Sequence, residues 1–226
     1  MSKVLIKESM VKIASPEAIE EILEKRKIQL ILKRIFDIIV SFIGLLVLLP
    51  IFMIIAFIIK VDSKGPIFFR QIRIGKNGKK FKIFKFRTMV VDAEKKGMQI
   101  TIDGDNRITR AGYILRKSKL DELPQLINVL KGDMSFVGPR PEVPRYVAMY
   151  DERQRSILKV TPGITDIASI EFRDENSLLA KSKNPEETYK KEIIPRKIEL
   201  NMEYIKNMSV IYDIGLILKT ICKIII

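Results

Sequence analysis

RIFDIIVSFIGLLVLLPIFMIIAFIIK, residues 34–60, decides the class of this protein. From Ile38 to Ile59 the 22 residues carry no charge. At about 1.5 Å per residue a helix of that length reaches roughly 33 Å, enough for a bilayer core. The run starts too deep in the chain, and is too long, for a cleaved signal peptide. Pro50 near its middle predicts a break or kink, because proline has no N–H and its ring crowds the preceding turn. Lys25, Arg26, Lys27, Lys33 and Arg34 precede the run, and Lys60, Lys64, Arg70 and Arg73 follow it. The positive-inside tendency holds both ends on the cytoplasmic side. A helix that enters and leaves by one face meets that demand; a plain transmembrane anchor is the alternative. Asp37, one turn into the apolar zone, needs headgroups or a partner.

Working outward, SPEAIEEILEKRK (15–27) predicts a helix capped by Ser15 with Pro16 in its first turn. Residues 65–89 alternate in strand fashion and predict a hairpin turning at Gly75, Asn77 and Gly78. A loop spans 101–112, and YILRKSK (113–119) reads as a short basic helix. ELPQLINVLK (122–131) predicts a helix stopped by Gly132, while the prolines of VGPRPEVP forbid regular structure. Residues 144–160 and 185–208 read as helices, with a turn and short strand at TPGITDIAS between them. In the tail, residues 209–226, apolar side chains recur at helical spacing with Asp213, Lys219 and Lys223 too central for a span. That predicts either a helix lying in a membrane interface or one packed on the core. The fold class is α+β, mostly α. Four segments follow: an N-terminal extension (1–32), a re-entrant helix broken at Pro50 (33–60), a catalytic domain (61–208) and an amphipathic helix (209–226).

Composition limits the chemistry. The chain of 226 residues has no histidine, which excludes a Ser-His-Asp triad, a histidine base and histidine metal sites. One cysteine, Cys222, excludes internal disulfides and Cys-rich zinc sites. Acids and bases must be Asp, Glu, Lys or Tyr, and any metal a hard, oxygen-bound ion. A net charge of +14 suits an anionic partner: phospholipid, phosphorylated substrate or nucleic acid. No zinc-finger spacing or aromatic RNA-binding signature supports the last.

LDELPQ (120–125) sets two carboxylates side by side. Taken alone, Asp121 is a good helix N-cap and Glu122 suits a first turn. The neighbours add chemistry. Arg116 lies five residues upstream, and Arg140 is held between Pro139 and Pro141. An arginine fork matches phosphate, as do the free N–H groups of a helix start. A carboxylate can attack phosphorus to give an acyl phosphate, and a divalent cation screens the charge between them.

KFRTM (85–89), DNRITRAG (105–112), LRKSKLDELPQLINVLKGDMSFVGPRPE (115–142) and TPGIT (161–165) resemble the bacterial sugar transferase family. These are small monotopic polyprenyl-phosphate phosphoglycosyl transferases, and the likeness runs from about residue 32 to the C-terminus. The resemblance implies a UDP-sugar donor, Mg²⁺ and a polyprenyl phosphate acceptor at the cytoplasmic face of a bacterial membrane. It implies Asp121 as nucleophile and Glu122 as its partner, in metal binding or proton handling. It assigns Arg116 and Arg140, and more weakly Lys85 and Arg87, to phosphate contacts. Pro139, Pro141 and Glu142 would shape the nucleotide loop. The chain departs from larger members after PGIT: it reads PGITDIASIEFRDEN, where they continue with glycine and an Asn-Gly-Arg stretch. It also lacks their multi-span N-terminal region. Neither the sugar nor the oligomeric state is legible. A silent membrane adapter would not need the dyad with both arginines. A nucleic-acid binder leaves Ile38–Ile59 unexplained. An anchored phosphatase differs in using water as acceptor.

Overall fold

The computed structural model describes residues 16–93 and 105–225. The cap expected at Ser15 and part of the 101–112 loop lie outside the described residues. Helix α1 (Pro16–Lys25) leads into α2 (Lys27–Asp62), then the antiparallel strands β1 (Phe68–Ile74) and β2 (Lys80–Phe86). Next come α3 (Arg110–Lys117), a 3₁₀ turn (Leu120–Glu122), α4 (Gln125–Lys131) and β3 (Ser135–Val137). Short helices α5 (Pro144–Val147) and α6 (Glu152–Arg155) precede β4 (Gly163–Thr165), which pairs parallel with β3. Helices α7 (Ile167–Glu171), α8 (Glu175–Ala180), α9 (Pro185–Thr188), α10 (Ile194–Asn207) and α11 (Val210–Ile225) complete the described chain.

At Pro50, where a break or kink is expected, helix α2 is not interrupted. It is continuous over 36 residues, with Pro50 inside it. Proline removes one intrahelical bond, but the apolar turns on either side retain theirs. Pro50 also stands on the exposed side. The opposite side forms a long seam on the rest of the protein. Arg34 donates to the carbonyls of Val129 (2.6 Å) and Leu130 (2.9 Å), closing the C-terminus of α4. Asp37 is buried and accepts from the Phe136 N–H at 3.1 Å, so it finds its partner in the protein. Gly44 makes room for Leu126, since an added Cβ would stand 3.3 Å from its Cδ1. Phe52 meets Phe86 edge-on, and Ile55 and Ile59 pack with Phe86 and Leu115. Outside the seam, Ile39, Phe42, Val47, Met53 and Phe57 remain exposed.

The hairpin turns where expected. Asn77 and Gly78 both have positive φ, 55° and 75°, the conformation that Asn-Gly supplies at lowest steric cost. The helix stop at Gly132 is also in place, with φ 90°. The helix expected over 144–160 divides into α5, α6 and a 3₁₀ segment, Ser156–Lys159. Between α9 and α10 the chain slips through a π turn, Tyr189–Ile193. Pro195, just beyond it, has no N–H to continue the ordinary register. Residues of α1 belong to the main core, where fully buried Ile19 joins a cluster with Ile157, Ile198 and Ile205.

One face of α11 packs on the core, as the second reading of the tail expects, and the opposite face is exposed. Asp213 and Leu216 are buried, while Ile211, Ile214, Leu218 and Ile221 are exposed. Asp213 pairs with Lys33 and accepts from the Tyr204 hydroxyl at 2.8 Å, which binds α11 to α2 and α10.

Candidate active site

Three elements bring the dyad and its cations together. Strand β2 carries Lys85. Asn128 of α4 holds that strand like a neighbouring strand's backbone, accepting from the Phe84 N–H at 2.9 Å and donating to the Lys82 carbonyl at 2.8 Å. Ile83, Val129 and Met134 seal the joint. Parallel strands β3 and β4 carry the Gly138–Glu142 loop. A Cβ on Gly163 would stand 2.1 Å from Gly138 N, so the backbones meet where only glycine fits. The glycines of VGPRP and PGIT therefore serve one close approach, which places Arg140 beside Ile164. Gly112 acts likewise in α3: an added Cβ would stand 2.0 Å from the Thr88 carbonyl oxygen. That approach lets Arg116 Nε donate to Thr88 Oγ1 at 2.9 Å.

The dyad is not a helix cap. Lys119 adopts the left-handed conformation (φ 57°), and Leu120–Glu122 form a 3₁₀ turn. Helix α4 begins at Gln125 with Pro124 at its N-cap. Two residues separate the dyad from that helix start, so the expected cap at Asp121 is absent. Asp121 is only 7% exposed, and among the described residues no hydrogen bond or ion pair holds its carboxylate. Burial pushes its carboxyl above the usual carboxylate range; Lys85 opposes the shift, Glu122 adds to it and Arg116 opposes it.

Glu122 has the opposite character. Lys85 Nζ donates to its Oε1 at 2.7 Å, Arg140 Nη1 donates to Oε2 at 3.1 Å, and Arg140 Nη2 donates to Oε1. Burial alone would raise its carboxyl, but Arg140 and Lys85 outweigh that and hold it well below the usual range. Lys85 is lowered by burial, with Glu122 working against the shift. Three of the four cations named as phosphate contacts thus gather at one place, Lys85 and Arg140 held by Glu122 and Arg116 held by Thr88.

Arg87 is elsewhere, which is a second correction. Its guanidinium is buried and donates to the carbonyls of Lys64 (2.6 Å), Ser63 (2.7 Å) and Ile59 (3.3 Å). It closes the C-terminus of α2, a task set by where that helix ends rather than by phosphate. Arg87→Leu should leave those carbonyls buried without donors and cost about 3 kcal/mol. Thermal unfolding should show a clear loss of stability while the folded protein keeps its donor KM; a raised donor KM at unchanged stability would return Arg87 to the site.

Pro139, Pro141 and Glu142 shape the loop through its backbone. The Pro139 carbonyl accepts from Gly163 N (3.1 Å), that of Pro141 from Arg73 Nη1 (3.2 Å) and that of Glu142 from Ile74 N (3.0 Å). The Glu142 side chain accepts from the Tyr189 hydroxyl and so faces into the protein. Three further residues support the site. Asn128 was signalled by a polar residue inside an apolar helical run. Asp166 was signalled by its place between a short strand and a helix. Fully buried Gln125, just behind the dyad, has no hydrogen-bond partner for either carboxamide atom.

Among the described residues no group of three or more His, Cys, Asp or Glu side chains gathers to hold a metal. Asp121 nevertheless offers a free carboxylate. That fits Mg²⁺, which takes one or two carboxylates and completes its shell with water and substrate phosphates. Glu122, already accepting three donors, has little capacity left for it.

Residues 28–226 match the family model described as bacterial sugar transferase. A UDP-glucose:undecaprenyl-phosphate glucose-1-phosphate transferase of Klebsiella pneumoniae is 40% identical over 205 residues, covering 87% of this chain and 40% of the relative. A UDP-N-acetylgalactosamine-undecaprenyl-phosphate N-acetylgalactosaminephosphotransferase of Aeromonas hydrophila is 38% identical over 195 residues, 84% of this chain and 43% of the relative. An exopolysaccharide production protein, PSS, of Rhizobium leguminosarum bv. phaseoli is 39% identical over 202 residues, 85% of this chain and 94% of the relative. The chain thus spans less than half the length of the first two relatives and nearly all of the third.

Proposed function

The chain belongs to the bacterial sugar transferase family, and from that premise we propose that it transfers a phosphosugar from a UDP-sugar to polyprenyl phosphate. The products are UMP and a polyprenyl-diphosphate sugar, the first lipid-linked compound of a glycan assembly. The observation that carries this reading is Asp121. Among the described residues this nearly buried carboxylate has no hydrogen-bond partner; Lys85 and Arg116 stand beside it, while its neighbour Glu122 is engaged by Lys85 and Arg140.

An Asp121 oxygen attacks the sugar-bearing phosphorus. The bond from that phosphorus to the bridging oxygen breaks, and UMP leaves with the electron pair. An oxygen of polyprenyl phosphate then attacks the same phosphorus and frees the Asp121 carboxylate. Lys85, Arg116 and Arg140 hold the phosphate oxygens, and Glu122 keeps Lys85 and Arg140 in place before the donor arrives. Mg²⁺, held by Asp121 and the donor's diphosphate, would screen the repulsion between carboxylate and phosphate. Release of UMP from a panel of UDP-sugars, with and without undecaprenyl phosphate, tests the reading. Donor turnover that requires the lipid supports it; phosphate released to water in its absence would favour a phosphatase.

The membrane reading is monotopic. Exposed apolar residues of α2 and of the outer face of α11 meet the lipid, and the basic flanks of α2 keep the protein at the cytoplasmic face. A helix that crosses a bilayer separates its two ends. Here Arg34 and Asp37 near one end of α2, and Ser63 and Lys64 beyond the other, are bonded into one polar body. That packing supports entry and exit by the same face, with α2 bending at Pro50 while its helical hydrogen bonding continues on either side. In a Cys222→Ser background, single cysteines at Ile28 and Lys64 should both be labelled only from the cytoplasmic side. Labelling of one of them from outside would make α2 a spanning helix.

A further inference from the structure

We propose that Asp166 is a positioning residue for Arg140, an assignment that rests on the donor-binding role given to Arg140 above. Asp166 directly follows β4 and is fully buried. Its Oδ1 accepts from the Ser169 N–H at 2.7 Å, which caps α7. Its Oδ2 accepts from Asn201 Nδ2 at 2.8 Å and from the Arg140 N–H at 3.3 Å. A neutral serine or asparagine would cap α7 as well as aspartate does. A fully buried carboxylate is costly unless donors and a nearby positive charge satisfy it. Capping therefore explains an oxygen at this position, but not the charge.

Arg140 supplies a donor for the second oxygen and a nearby positive charge for the carboxylate. The close approach of Gly138 and Gly163 lays residues 138–140 along residues 163–166. There the Ile164 carbonyl accepts from Arg140 Nη1 at 3.2 Å, and Asp166 takes the Arg140 backbone N–H. The arginine is thus fixed at both ends, its fork by Glu122 and its backbone by Asp166. Asn201 sets the orientation of the Asp166 carboxylate.

Two variants separate positioning from mere stability. Asp166→Asn turns an amide N–H₂ toward two donors, Asn201 and the Arg140 N–H. It should lower Tm and raise the donor KM tenfold or more, with the acceptor KM unchanged. The exchange Asp166→Asn with Asn201→Asp restores a donor–acceptor pair between the two side chains, so Tm should recover. It does not restore an acceptor for the Arg140 N–H, so the donor KM should stay raised. Recovery of the donor KM together with Tm would overturn the proposal, as would a wild-type donor KM in Asp166→Asn. Arginine side-chain ¹⁵N spectra, with Arg140 identified by its loss in Arg140→Lys, give a readout without turnover. The native fork should show resolved, slowly rotating Nη groups that collapse to an averaged signal in both variants. If the native protein releases no UMP from any UDP-sugar, the reaction assignment falls, and these spectra still decide whether Asp166 holds Arg140.

Discussion

Asp121→Asn should abolish UMP release and leave a folded protein of higher stability at neutral pH. The amide has nearly the shape of the carboxylate but cannot form the acyl phosphate. Loss of a covalent nucleophile removes the whole pathway, so turnover should fall by about 10⁴-fold or more. Stability should move the other way. Burial raises the Asp121 carboxyl above its ordinary range, so the native state holds this proton more tightly than the unfolded chain does. Native Asp121 therefore destabilises the fold once pH exceeds the unfolded carboxyl's range, and the variant escapes that cost. The difference in Tm should be present at pH 7 and disappear in acid, where native Asp121 is also protonated. The same shift places the acid limb of activity above the ordinary carboxylate range, because attack requires the ionised form. Native protein given labelled UDP-sugar and Mg²⁺ without polyprenyl phosphate should carry phosphosugar on the Asp121 peptide. Label on Glu122, or turnover by Asp121→Asn, would remove Asp121 from the role.

Glu122→Gln should lower kcat/KM for the donor by about 10²–10³-fold and cost stability as well. Glu122 is the shared counter-ion of Lys85 and Arg140, with side chains 18% and 31% exposed. Breaking a buried ion pair from one side costs roughly 3–5 kcal/mol, less where water reaches the orphaned charges, so about 2–3 kcal/mol applies here. Arg140 loses its two-pronged partner, and the phosphate contacts lose their prearranged geometry. The pH profile gives a separate sign. Burial already lowers Lys85 and Glu122 works against it, so the variant lowers Lys85 further. Its ammonium should be lost at lower pH, and the alkaline limb of activity should move toward neutrality. An alkaline limb unchanged from wild type would mean that Lys85 does not act through its charge. Glu122→Asp, which keeps the charge on a shorter arm, should recover part of the loss.

What could be read from the chain alone follows from local rules. The apolar run of α2 is legible because 22 residues without charge have few other uses. Asn77-Gly78 and Gly132 are legible because their backbones need positive φ. The dyad and its arginines are legible as a set of chemical types. Their arrangement is not. Asp121 lost its expected cap because Lys119 turned left-handed and Pro124 took the N-cap of α4, an outcome of how the turn packs. Arg87, in the same strand neighbourhood as Lys85, went to the end of α2, because the carbonyls of Ile59, Ser63 and Lys64 came within its reach. Glu122, Lys85 and Arg140 met across 18 and 37 residues of sequence. Pro50 failed to interrupt α2, whose inner side is held along its length by residues far away in the chain. Turns and apolar runs are encoded by neighbours a few residues apart, through sterics and water. Which charges pair, and which carboxylate is left buried and free, depends on distances between remote segments, and only the folded chain sets those.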